Sequence, residues 1–321
     1  MPTYDYDING AYGSELAKLV NLRDGKWHHT TDYSTAHYGF AKGILTTNAD
    51  FHPFLLEGND LSYTPVGSWE TYLTINEIEF LKHYKLGKFE IEDMWCWIAH
   101  GAQEFPLRNL VEWLYGQKQS GNELEAQIAR RCMAGIWGRF LEFRGKDFGP
   151  AFNPVYGAIV EANNRLKVAR VCIENDIKPL HVAVDGVITD KPLAIRTNDE
   201  LGGWRLSHKG KCIIVSSGVV GFEGKQGAEE FSLRFSWLYE QMKAKPGVTE
   251  LTMEKWAPVT LAKALNTDFN ELGQVKKLVR SVYLEPDKKR VWKDRPRNAS
   301  EILSKQYQSA PLEASIIAKT F

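Results

Sequence analysis

Aromatic and acidic residues alternate at the start of the chain: Thr3, Tyr4, Asp5, Tyr6, Asp7. A period of two predicts a short β-strand with both tyrosines on one face. Asn9-Gly10 then predicts a turn, with a helical stretch from about Ser14. Residues 20–100 mix strand-like runs with Gly and Pro turns, as in YGFAKGIL and YTPVGSWETYLTI. INEIEFLKHYK predicts a helix closed by Gly87 as C-cap, and KFEIEDMWCWI predicts the strand after it.

The pattern then changes to a period near four. In FPLRNLVEWLYGQKQ the apolar residues Leu107, Leu110, Val111 and Leu114 share one helical face, with Pro106 near the start. SGN interrupts the helix, and ELEAQIARRCMAGIWGRF resumes it, so a helical hairpin is expected. NPVYGAIVEANNRLKVARVCIEND predicts a third long helix. LHVAVDGVITD alternates, turns at Asp185-Gly186 and alternates again, which predicts a β-hairpin with a carboxylate at its tip. GGWRLSHKGKCIIVSSGVVGFEG is strand-like, and the last 95 or so residues read as mostly helical and irregular.

At 321 residues, with 43% hydrophobic and 25% charged content, the chain has the composition of a globular protein large enough for two or three lobes. No window of about 20 residues lacks charge, which excludes an obvious membrane span. Four dispersed cysteines (Cys96, Cys132, Cys172, Cys212) without zinc-ligand spacing point to a reducing interior and no structural zinc. Net charge is zero, but nine basic residues lie between Lys276 and Arg297 against three acidic ones. These are Lys276, Lys277, Arg280, Lys288, Lys289, Arg290, Lys293, Arg295 and Arg297. A solvated face explains such a run; the interleaved Tyr283 and Trp292 also suit phosphates and bases.

Asp7 and Asp185 each stand where a strand ends in a tight turn. Alone, either is compatible with an ordinary turn residue. If their strands are neighbours, the two carboxylates converge, and like charges that close call for a cation. A pair of Mg²⁺ ions would serve, and such a pair stabilises attacking and leaving oxygens in phosphoryl transfer. In the second hairpin helix, Arg130, Ala134 and Trp137 form one stripe. The stripe suits a triphosphate and base, and equally a solvated arginine with a core tryptophan.

In order and spacing, three stretches resemble the polymerase motifs of family B DNA polymerases from viruses, phages and linear plasmids. DINGAYGS (7–14) resembles motif A, RRCMAGIWG (130–138) resembles motif B, and VAVDGVI (182–188) resembles motif C in its final aspartate. PLRNLVEWLYGQKQ, LGGWRL and GVVGF are also similar to the segments flanking those motifs, so the resemblance covers roughly residues 3–225.

The resemblance implies an α+β right-hand polymerase with an antiparallel palm sheet carrying the two carboxylates. Its parts would be a palm from 1–100, with an insertion, and 141–225, fingers at 101–140 and a thumb at 226–321. Asp7 and Asp185 would be catalytic metal ligands, with the backbone carbonyl of Ile8 a third ligand; the cofactor would be two Mg²⁺ ions, replaceable by Mn²⁺. Tyr12 would stack under the sugar and exclude a 2′-hydroxyl. Lys118 and Arg130 would bind the triphosphate, and Ala134, Gly135, Trp137 and Gly138 would line the nascent base pair. The basic residues from Lys276 to Arg297 would grip primer–template DNA.

The sequence also departs from the family pattern. Arg130 stands where lysine is usual, Ala134-Gly135 replaces Asn-Ser, and Ala183 replaces the first aspartate of motif C. Only six residues precede Asp7, so a proofreading exonuclease is expected on a separate chain or not at all. The 123 residues from Asp7 to Arg130 leave room for an insertion; the 55 from Arg130 to Asp185 are too few for a strand-displacement insertion. The resulting expectation is a cytoplasmic, phage-, virus- or plasmid-encoded polymerase core using dNTPs, with a catalytically weakened DNA-binding subunit as the alternative.

Overall fold

The computed structural model describes residues 2–58, 61–217, 219–224, 235–259, 268–271 and 273–317. The expected lobe boundary at 225/226 lies outside the described residues. By internal contacts the chain divides into two units, Met1–Lys209 with Ala310–Phe321, and Gly210–Ser309.

The aromatic-acidic alternation forms the strand Thr3–Ile8. Tyr6 and Ile8 are buried, and the Tyr6 hydroxyl accepts from the Leu193 amide at 3.1 Å, so one face of the strand is anchored in the core. The strand lies in a four-stranded sheet ordered His181–Val182, Gly186–Thr189, Thr3–Ile8, Trp204–Gly210. The strand Gly186–Thr189 runs antiparallel to both of its neighbours, His181–Val182 and Thr3–Ile8. Val168, Val171 and Cys172 of the helix Pro154–Glu174 pack against Tyr6, Ile8 and Val187.

The helix after the turn begins three residues earlier than expected, spanning Ala11–Leu16. Gly10 takes a left-handed conformation (φ 60°), which reverses the chain within one residue and brings Tyr12 into the first helical turn. The expected hairpin forms as Arg108–Gln119 and Glu123–Phe140, both packed on Ala11–Leu16. Asn122 caps the second helix, its side-chain oxygen accepting from the amides of Leu124 and Glu125. Val111, Leu114 and Tyr115 are buried as the helical period demands, whereas Leu110 is exposed.

Residues 20–100 build a second antiparallel sheet, ordered Gly25–His29, Lys88–Ala99, Tyr38–Thr47, Gly67–Thr74. The helix Ile75–His83 opens with a reciprocal Thr74/Glu77 capping box. It ends differently from the expectation. Lys85, not Gly87, takes the left-handed position (φ 53°), and Leu86 donates to the Leu81 carbonyl. Gly87 meets another demand, because a Cβ there would lie 2.2 Å from the Thr46 carbonyl oxygen.

The second unit keeps the strands expected through Phe222 and adds a long ribbon to the region after it, which was expected to be mostly helical and irregular. Its described residues contain the helix Phe235–Ala244 and two antiparallel ribbons, Cys212–Ser216 with Val219–Phe222 and Glu250–Pro258 with Val275–Tyr283. Leu238, Met242, Leu251, Val282 and Leu284 form its core.

Candidate active site

The register of the first sheet places Asp7 opposite Gly186, one residue from Asp185. The hairpin closes with the Ala183 amide donating to the Gly186 carbonyl at 2.9 Å, leaving Asp185 at the tip. The Ile8 amide donates to the Asp185 carbonyl at 2.7 Å, tying the tip to the neighbouring strand end. Gly186 permits this approach, since a Cβ there would stand 2.7 Å from the Tyr6 carbonyl oxygen. Asp7 and Asp185 are therefore neighbours across a strand pair.

Their electrostatics follow from that proximity. Burial, and after it the charge of Asp7, push the Asp185 carboxyl up, with Arg205 acting against the shift. Arg205, on the outer strand Trp204–Gly210, donates from Nε at 3.1 Å and from a terminal guanidinium nitrogen at 2.5 Å to Oδ2 of Asp7. Lys118, half-buried on the helix Arg108–Gln119, is pushed down by burial and then by Arg205 and Arg130, while Asp7 and Asp185 oppose the shift. Arg205 and Lys118 thus lie in the field of the two carboxylates, with Arg130 acting on Lys118.

Tyr12 is also within the field of Asp185. Burial, then Glu161 and Asp185, raise its phenol, with Arg165 opposing. Its ring meets that of Trp137 at 4.7 Å, and Trp137 Nε1 donates to the Gly157 carbonyl at 3.4 Å. Asp7, Asp185, Lys118, Arg130, Tyr12 and Trp137 are linked in this way, and Ile8, next to Asp7, is buried in the core beneath the sheet. Ala134 lies exposed on the same helix as Trp137, and a Cβ at Gly135 or Gly138 would meet no atom within 4 Å.

The basic residues belong to the second unit. Several already have carboxylate partners: Lys276 with Glu271, Lys277 with Glu254 at 2.7 Å, Lys288 and Arg295 with Glu285 at 3.7 and 3.6 Å. Arg290 donates to Ser309 Oγ at 2.7 Å. Lys289 is half-buried, Lys293 and Arg297 are exposed, and the side chain of Arg280 lies outside the described part.

Arg205 was missed from the sequence, although it lies within LGGWRL. So was the loop 198–203, which locks the site. Asn9 donates to the Gly203 carbonyl (2.8 Å) and accepts from the Gly202 amide (2.6 Å), while the Tyr115 hydroxyl donates to the Asp199 carbonyl (2.7 Å). The adjacent glycines of LGGW were the available signal. A Cβ at Gly203 would lie 1.7 Å from Asn198 Oδ1.

Among the described residues no group of three or more His, Cys, Asp or Glu side chains is arranged for a metal. The Asp7/Asp185 pair offers oxygen donors only, and its internal repulsion would be relieved by a hard divalent cation. That donor set fits Mg²⁺ completed by substrate oxygens.

No protein-family model matches the chain, and no curated protein does. Among solved structures, it is similar to Phi29 DNA polymerase complexed with primer-template DNA and incoming nucleotide, with TM-score 0.56 and 11% identity. The match covers 88% of this chain and 58% of that one. The orthorhombic form of Phi29 DNA polymerase gives TM-score 0.49 at 11% identity, over 65% and 43% of the two chains. The post-translocation binary complex gives 0.48 at 12%, over 65% and 42%. The ternary-complex match shows a polymerase-like mixed α/β fold with antiparallel sheets. The chain spans 58% of the length of that polymerase chain.

Proposed function

We propose that the chain is the core of a template-directed DNA polymerase that adds dNTPs to a primer 3′-hydroxyl. The observation that carries this reading is the juxtaposition of Asp7 and Asp185 across paired strand ends, beside Lys118 and Arg130. In this reading the sheet bearing Asp7 is the palm, the hairpin Arg108–Gln119/Glu123–Phe140 the fingers, and the second unit the thumb.

Asp7, Asp185 and the Ile8 carbonyl would hold two Mg²⁺ ions, or Mn²⁺, which when bound supply charge stabilisation to the attacking and leaving oxygens. The remaining work falls to this chain's own groups. Lys118 and Arg130 hold the triphosphate and offset charge developing on it. Lys118, with its lowered pKa, is also suited to give a proton to the departing pyrophosphate; a guanidinium is not. Tyr12, backed by Trp137, would lie under the deoxyribose and exclude a 2′-hydroxyl.

The Asp7–Arg205 pair, together with Ala183, favours a second reading, a DNA-binding subunit with a weakened active site. Primer extension with Mg²⁺ and dNTPs, run beside Asp185→Asn, separates the two. Extension that falls by on the order of a thousandfold in the variant supports the polymerase reading. Duplex binding without extension would replace it with the second.

A further inference from the structure

Arg205 is the one member of the charged group for which the proposed chemistry has no use, and its contacts define one. Both its Nε and a terminal nitrogen converge on a single oxygen, Oδ2 of Asp7. Its backbone follows directly from the Gly202-Gly203 turn, which is pinned to Asn9 by two hydrogen bonds, so that turn limits movement at the base of the strand. The guanidinium is far less constrained, with the side chain 49% exposed against 24% for Asp7. A pinned backbone turn with a solvent-exposed cationic end gives the guanidinium a route off the carboxylate that leaves the sheet in place.

We propose that Arg205 is a built-in counter-ion for Asp7 that a divalent cation must displace before the site is complete. The inference rests on the polymerase reading for the identity of the metal site. Its physical basis is local. Asp7 cannot present Oδ2 to a metal while the same oxygen accepts two guanidinium hydrogen bonds. A dication entering with Arg205 in place would also face that charge together with those of Lys118 and Arg130. The device sets a threshold: at low metal the carboxylate is paired internally, and at high metal the guanidinium is released toward solvent. It also removes the repulsion that two bare, adjacent carboxylates would otherwise impose on the metal-free chain.

The test is a direct titration of Mn²⁺ at fixed ionic strength, with free ion followed by electron paramagnetic resonance, on wild type, Arg205→Gln, Arg205→Lys and Asp185→Asn. Far-UV circular dichroism checks that each variant is folded. Arg205→Gln is expected to bind Mn²⁺ about fivefold more tightly than wild type, the scale an exposed ion pair supports. Arg205→Lys, which keeps the charge and loses the fork, should fall between the two and carries the test if the glutamine variant does not fold. Unchanged or weaker Mn²⁺ binding in the Arg205 variants, with binding still lost in Asp185→Asn, would overturn the counter-ion and leave the metal site standing. Wild-type Mn²⁺ binding indifferent to Asp185→Asn would overturn the metal site, and the counter-ion role with it.

Discussion

The rings of Tyr12 and Trp137 meet at a centroid distance of 4.7 Å with their planes tilted by 37°, joining the first turn of Ala11–Leu16 to the helix Glu123–Phe140. Trp137 is itself held through its indole N–H to the Gly157 carbonyl. Tyr12 therefore has a supported position rather than a free rotamer. If it lies under the sugar, Tyr12→Val opens that space to a 2′-hydroxyl. The ratio of kcat/KM for dNTP over rNTP is expected to fall by on the order of ten- to a hundredfold. An unchanged ratio would remove Tyr12 from the site.

Gly186 makes the approach of the Asp185 hairpin to Thr3–Ile8 sterically possible. In Gly186→Ala the new methyl meets a backbone oxygen of Tyr6, which cannot rotate away as a side chain does. The expected cost is about 1–3 kcal/mol, read as a lowered urea midpoint at constant m-value. Because the displaced atoms carry Asp185, primer extension should fall further than stability alone accounts for.

Gly138 presents the opposite case. A Cβ there meets open space, and the residue lies within the last turns of a regular helix. Gly138→Ala is expected to stabilise the fold by about 0.5–1 kcal/mol through helix propensity. If that open face receives the nascent base pair, the same methyl lowers kcat/KM. Greater stability with unchanged extension would show that the base pair lies elsewhere.

Much of this arrangement was legible because it is local. The helix Glu123–Phe140 begins after its capping asparagine where SGN breaks the pattern, and the Asp185-Gly186 turn carries its own signal. Other features had no local signature. Arg205 meets Asp7 across 198 positions of sequence, and nothing in WRLS distinguishes a counter-ion from a solvated strand residue. The Lys85 cap was hidden because a glycine two residues later was the stronger conventional candidate, and that glycine answers to Thr46 instead. The ribbon Glu250–Pro258/Val275–Tyr283 was missed for a different reason: its charged residues resemble a solvated helix face, although Leu251 and Val282 pair in register and are buried in the core.

The raised pKa of Asp185 makes its ionisation a load on the fold. Between the ordinary aspartate range and the raised folded value, the folded chain keeps a proton that the unfolded chain has lost. Stability therefore falls as pH rises through that window, and the full loss is present above it. Asp185→Asn removes the ionisation and is expected to raise Tm at pH 7, with the advantage shrinking as pH falls to the ordinary carboxylate range. A Tm advantage independent of pH would mean that charge is not the cause.

The basic residues of the second unit are not equivalent as DNA contacts. Lys277 is paired with Glu254, so neutralising a phosphate with it requires breaking that pair, and little is gained on exchange. Lys293 and Arg297 are exposed with no ion pair among the described residues. If this unit grips duplex phosphates, each contact that releases a counterion contributes about 0.9 to the slope of log K against log salt. The double variant Lys293→Ala/Arg297→Ala is expected to lower that slope by nearly 2, while Lys277→Ala lowers it by much less than 1. Fluorescence anisotropy on a labelled primer–template, titrated from low to moderate KCl, measures both. Equal slopes in all three chains would show that the basic run is a solvated face, and would direct the search for the duplex path to the surface around Arg130 and Lys118.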